Sequence, residues 1–98
     1  MKRQMKKIHP GQILHMELVE GRRLTISKIA ELLGTTRANF SNIINEHASI
    51  TPNMALRLEE VFGGSASHFL NLQKTYDLEK AKEDFLKNPL NLKPYKVS

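Results

Sequence analysis

The sequence predicts an all-α fold, five helices followed by a short extended tail, on three observations. Apolar residues recur at helical spacing along most of the chain, and no stretch alternates cleanly at period two. Cap and stop residues punctuate that pattern at helical lengths: His9-Pro10, Thr25, Gly34, Thr51-Pro52 and Gly63-Gly64. The chain has 98 residues, 40% of them hydrophobic, which allows one domain with a small core.

The first helix opens at His9-Pro10-Gly11, because a proline at the first helical position gives up an N–H that would go unpaired there anyway. Ile13, Leu14 and Leu18 form its apolar side, and Gly21 ends it. Thr25 caps the second helix, whose Ile26, Ile29, Ala30 and Leu33 fall at i, i+3, i+4 and i+7. Gly34 follows as the residue that can turn left-handed without steric cost. Thr35 or Thr36 then caps a third helix with Phe40, Ile43 and Ile44 inward. Thr51-Pro52 starts a fourth, with Met54, Ala55, Leu58, Val61 and Phe62 as its buried side. Gly63-Gly64 stops it, and Ser65 or Ser67 caps a fifth helix carrying Phe69, Leu70, Leu72 and Tyr76 past Lys82. Pro89 and Pro94 argue against helix beyond Asn88. The domain plan is therefore a basic leader at 1–8, a helical domain at 9–87, and an extended or disordered tail at 88–98.

The net charge is +5, and it is unevenly placed. Residues 1–45 hold eight basic side chains against three acidic ones, while residues 46–98 hold seven of each. A phosphate partner accounts for such an excess, since neutralising phosphates releases counterions; a solubilising surface accounts for it equally. The absence of cysteine excludes disulfides, thiolate metal sites and cysteine nucleophiles. No apolar run approaches the roughly 18 residues needed to span a bilayer. The start MKRQMKKIHPGQ lacks the apolar stretch of a secretory signal, so the expected location is the cytoplasm.

The informative segment is LTISKIAELLGTTRANFSNIINE, residues 24–46. A helix-turn-helix needs two short helices crossing through a tight turn. Ala30 permits close approach, Gly34 permits the turn, and Phe40 and Ile43 point back to the core. That leaves Thr36, Arg37, Asn39, Ser41, Asn42 and Asn45 outward. Arg can bond guanine O6 and N7, and Asn can bond adenine N6 and N7, each through two atoms. Thr, Asn and Ser are mediocre helix formers, so their use on an outward face favours contact over propensity. The reading is a DNA reader centred on residues 25–45. The usual repressor pattern has Gln early in the second helix as a brace, and Ile26 stands there instead. Phosphate contacts then fall to Thr25, Ser27, Thr36 or Asn45.

HPGQIL at 9–14, the segment 24–45, ITPNMALRLEEVFG at 50–63 and SASHFLNLQKTYDLEKA at 65–81 resemble the HigA antitoxins, also called virulence-associated protein I. That family is a branch of the phage-repressor-like (Xre) helix-turn-helix proteins. The resemblance implies a five-helix repressor-like fold and a type II toxin–antitoxin module. It implies a dimer that represses its own operon through double-stranded operator DNA, and a partner toxin, a HigB-like ribonuclease that cleaves mRNA. It maps DNA contacts to Thr36, Arg37, Ala38, Asn42 and, for phosphate, Asn45, with Asn39 and Ser41 as weaker candidates. Two half-sites about 34 Å apart imply a two-fold dimer. Phe69, Leu72 and Tyr76 serve either that dimer or the monomer core. The alternatives are a helix-turn-helix regulator without a toxin, and an interaction module of the same fold that no longer binds DNA.

Other features carry less. His9, His15, His47 and His68 are not spaced as metal ligands, no cofactor is implied, and no nucleophile–base or paired-carboxylate pattern suggests an enzyme. Gly63-Gly64-Ser65 reads as a helix stop and cap. Lys2, Arg3, Lys6 and Lys7 read as a phosphate-following arm or an untethered terminus.

Overall fold

The computed structural model describes residues 8–95, so the leader residues Lys2, Arg3, Lys6 and Lys7 lie outside the described residues, as does the end of the tail. Its elements are α1 (Pro10–Leu14), continuing as a π-helix (His15–Gly21), then α2 (Ile26–Leu33), α3 (Arg37–Ile44), α4 (Pro52–Phe62) and α5 (Ala66–Lys87). No strand occurs among the described residues, in keeping with the all-α expectation.

Each start is set by a side-chain cap. The hydroxyls of Thr25, Thr36, Thr51 and Ser65 accept from the amides of Lys28, Asn39, Met54 and His68 at 3.0, 3.0, 3.2 and 3.3 Å. Each such cap contributes about 1 kcal/mol by satisfying a donor that the helix leaves orphaned. These four contacts choose Thr36 over Thr35 and Ser65 over Ser67. The first helix is capped by His9, whose Nδ1 accepts from the Gly11 amide at 2.9 Å.

Leu14, Leu18, Ile29, Ala30, Leu33, Phe40, Ile43, Ile44, Ile50, Ala55, Leu58 and Phe69 form one buried cluster. Phe40, Ile29 and Leu58 are completely covered, each contributing roughly 1.5–3 kcal/mol of burial. Gly11 is buried where the first helix crosses α3, and a Cβ there would overlap the Ile43 carbonyl. The fourth helix departs from expectation at Val61, which is exposed. Ala55, Leu58 and Phe62 form its inward stripe at i, i+3 and i+7, and Val61 falls on the flank of that stripe.

The π-helix was not visible in the sequence. It ends with Arg22 donating to Glu17 and Leu24 donating to Leu18. The left-handed residue at this end is Arg23, at φ 58°, and not the neighbouring Gly21.

Gln73 is the one side chain other than His9 that is both polar and buried among the described residues. Its Oε1 accepts from the Ile50 amide at 2.9 Å, and its Nε2 donates to Asp77 at 3.0 Å. It therefore ties α5 to the loop after α3. Phe69 belongs to the core, while Leu72 and Tyr76 are half-buried, and the Tyr76 ring meets the His9 ring edge-on at 4.8 Å. Beyond Glu79 every described residue is exposed, and residues 89–95 have no regular structure.

Candidate nucleic-acid interface

The turn between α2 and α3 is fixed by backbone hydrogen bonds. Gly34, at φ 71° and ψ 33°, donates to Glu31, and Thr35 donates to Ala30 at 2.9 Å. This pair of bonds satisfies the last carbonyls of α2 and sends the chain directly into the Thr36 cap of α3. Ala30 is buried at the crossing of the two helices, as its size requires.

Arg57 of α4 adds a brace from outside the motif. Its Nη1 donates to the Leu33 carbonyl at 3.0 Å and to the Gly34 carbonyl at 2.9 Å. Sequence reasoning missed this residue. The available signal was a single Arg set between Ala55 and Leu58, among the apolar positions of α4.

With Phe40, Ile43 and Ile44 inward, helical periodicity places Ala38, Asn42 and Asn45 at the centre of the outward face. Arg37 and Ser41 flank it on one side and Asn39 on the other. Thr36, Arg37, Ala38, Asn39, Asn42 and Asn45 are exposed, and Ser41 is half-buried. The expected residues thus share one continuous surface.

Their hydrogen bonding separates them into two groups. Asn39 Nδ2 donates to Thr35 Oγ1 at 3.3 Å, and Asn45 Nδ2 donates to Ser41 Oγ at 3.2 Å. Those two amides are already oriented. Arg37 and Asn42 have no side-chain hydrogen bond or ion pair among the described residues, so their donors are free to meet a ligand. Ala38 between them is small enough to let the helix approach a surface closely. Next to this face lies a shallow groove lined by Thr35, Asn39, Asn42, Ser49 and Thr51.

At the start of α2, Thr25 and Ser27 are exposed, and the Thr25 hydroxyl is engaged with the Lys28 amide. Ile26 packs against the core, so this position supplies no polar brace. Among the described residues, no group of three or more His, Asp or Glu side chains could hold a metal ion. No described helix is long and apolar enough to cross a membrane.

No protein-family model matches the chain. Virulence-associated protein I of Dichelobacter nodosus is 39% identical over 83 residues, covering 85% of this chain and 77% of that protein. Antitoxin HigA-1 of Vibrio cholerae is 28% identical over 97 residues, covering 99% and 91% respectively. The solved structure of Pseudomonas aeruginosa antitoxin HigA with the higBA promoter superposes at a TM-score of 0.83 with 29% identity, covering 93% of this chain and all of that one. The backbone likeness over most of the chain, with the identity to virulence-associated protein I over most of both chains, shows that this chain belongs to the HigA-type antitoxins of the Xre-like helix-turn-helix superfamily.

Proposed function

We propose that this chain is the antitoxin of a type II toxin–antitoxin pair: a dimer that represses its own operon and neutralises a HigB-like, mRNA-cleaving toxin in the cytoplasm. The observation that carries the DNA half is the outward face of α3, where Arg37 and Asn42 stand unengaged on either side of Ala38. Arg37 and Asn42 read base edges, since both present paired hydrogen-bonding atoms to a base. Thr36, Asn45, Thr25 and Ser27 meet phosphates, and Asn39 and Ser41 set the orientation of their neighbours. The toxin half rests on the antitoxin relatives. This reading needs no catalysis and no cofactor.

The dimer is assigned to the far end of α5. Leu78, Ala81, Lys82, Phe85 and Leu86 line one groove at i, i+3, i+4, i+7 and i+8, with Leu78, Phe85 and Leu86 exposed to 53%, 51% and 80%. A second copy is the natural occupant. It brings the same apolar stripe to the contact, and a two-fold pair supplies the two reading heads that an operator requires. Of the Phe69, Leu72 and Tyr76 positions expected to serve either role, Phe69 lies in the core while Leu72 and Tyr76 are half-buried.

The test has two arms. Titration of the purified chain with the DNA upstream of its own gene should give an affinity that falls steeply with salt. Co-expression should relieve the growth arrest caused by a ribonuclease-like protein encoded beside it. Absence of DNA binding even at low salt would favour the interaction module that does not read DNA. Absence of a toxin with intact DNA binding would leave a plain regulator.

A further inference from the structure

α5 leaves the body of the protein at a definite place. Phe69 is in the core, Gln73 is buried on the Ile50 amide, and the Tyr76 ring lies against His9. From Asp77 onward only Glu79 is half-buried, and the rest of the helix to Lys87 stands in solvent. That leaves about 16 Å of unsupported helix at 1.5 Å per residue. The last contact before the exit therefore has the longest lever over where the tip points.

His9 is an unusual residue for that place. It is buried, it caps the first helix through Nδ1, its ring faces Tyr76 of α5, and it lines one recess with Ala48 from the segment after α3. One imidazole thus sits between the first helix, the segment that follows α3, and α5. A Ser, Thr, Asp or Asn would cap the helix as well or better, but none carries a ring to set against Tyr76.

We propose that His9 is the positioning residue that fixes the exit angle of α5 relative to α3, and so sets the spacing at which two copies read two half-sites. The spacing part of this rests on the α5 dimer proposed above; the exit angle does not. The recess around His9 also holds Glu46 and His47 from the turn after α3, and Gln73, Asp77 and Lys80 from α5. Protonation at Nδ1 removes the acceptor for the Gly11 amide. Glu46 and Asp77 favour that proton, but burial outweighs them and keeps the ring below the ordinary histidine pKa. The brace is therefore intact at neutral pH and is released only once acid below the ordinary histidine range protonates the ring.

Two measurements test it. The chain has no cysteine, so Lys28→Cys on α2 and Lys87→Cys at the tip of α5 can be spin-labelled cleanly. The distance distribution at pH 7.5 should be narrow in the parent and broaden about twofold in His9→Asn, which keeps a capping acceptor but not the ring. Tyr76→Ala, which leaves the His9 cap intact, should broaden it equally. Second, a duplex carrying the chain's own half-sites should lose about tenfold in affinity when one base pair is inserted between them, and the variants should lose less than about threefold. As pH falls below the ordinary histidine range the parent should move toward the variants, and His9→Asn should not change over the same interval. Folded His9→Asn and Tyr76→Ala with the parent's narrow distance distribution would overturn the brace. A narrow parent and broadened variants, in a chain that sediments as a monomer on DNA, would overturn the dimer and the spacing claim while leaving the brace standing.

Discussion

Arg57 Nη1 lies 2.9 Å from the Gly34 carbonyl and 3.0 Å from that of Leu33, so one guanidinium nitrogen from α4 closes the turn between α2 and α3. The contact joins residues 23 and 24 positions apart. It holds the angle between α2 and α3 without adding to the outward face of α3.

Arg57→Met should therefore cost about 1–3 kcal/mol of stability, because two carbonyls lose a charged donor and the aliphatic stem is kept. Arg57→Lys should not restore it fully, since an ammonium is a point donor without the guanidinium's fixed geometry. Thermal melts of the three proteins decide this, and equal melting temperatures would refute the brace.

Gly11→Ala should destabilise by about 1–3 kcal/mol, as overpacking at a helix crossing does. The added Cβ overlaps the Ile43 carbonyl, which is backbone and cannot rotate away. Denaturant unfolding should show a lower midpoint, and a midpoint equal to the parent's would mean that α1 and α3 can separate at no cost.

Arg23→Gly should act in the opposite direction. Arg23 sits at φ 58°, a left-handed conformation that costs a side-chain-bearing residue roughly 1 kcal/mol and glycine nothing. A rise of a few degrees in melting temperature is expected, and a fall would show that the Arg side chain contributes more than its backbone costs.

Acid should weaken the fold through His9. Unfolded, its imidazole takes up a proton near 6.5; folded, burial holds it neutral to lower pH. The unfolded state thus binds more protons in that interval, and stability rises with pH there. The contribution is fully present above about pH 6.5 and is lost as pH falls below it toward the depressed value. Melting temperature plotted against pH should be flatter below 6.5 for His9→Asn than for the parent, and parallel curves would assign the acid sensitivity elsewhere.

What the sequence disclosed and what it hid divide along a physical line. Thr25, Thr51 and Gly34 act within a few residues of themselves, so their roles as caps and turn were legible from local chemistry. Ile29, Phe40 and Leu58 announce their burial by spacing. The outward set on α3 followed once the inward set was known. Arg57, Gln73 and His9 act on backbone or rings that are distant in sequence or belong to other helices, and no local rule pairs them. The π-helix at His15–Gly21 was hidden for a related reason: Leu14 and Leu18 fit ordinary helical spacing, and the widening is visible only in the hydrogen bonds. Val61 reads inward because it is apolar, whereas the Ala55–Leu58–Phe62 stripe leaves it to one side.

The most direct test of the account is the affinity of Arg37→Ala and Asn42→Ala for the chain's own operator and for a scrambled duplex of equal length. Each variant should lose about 1–3 kcal/mol on the operator, relax preference at one base position, and change little on the scrambled DNA. Unchanged operator affinity together with unchanged base preference in both variants would contradict the claim that this face of α3 reads sequence.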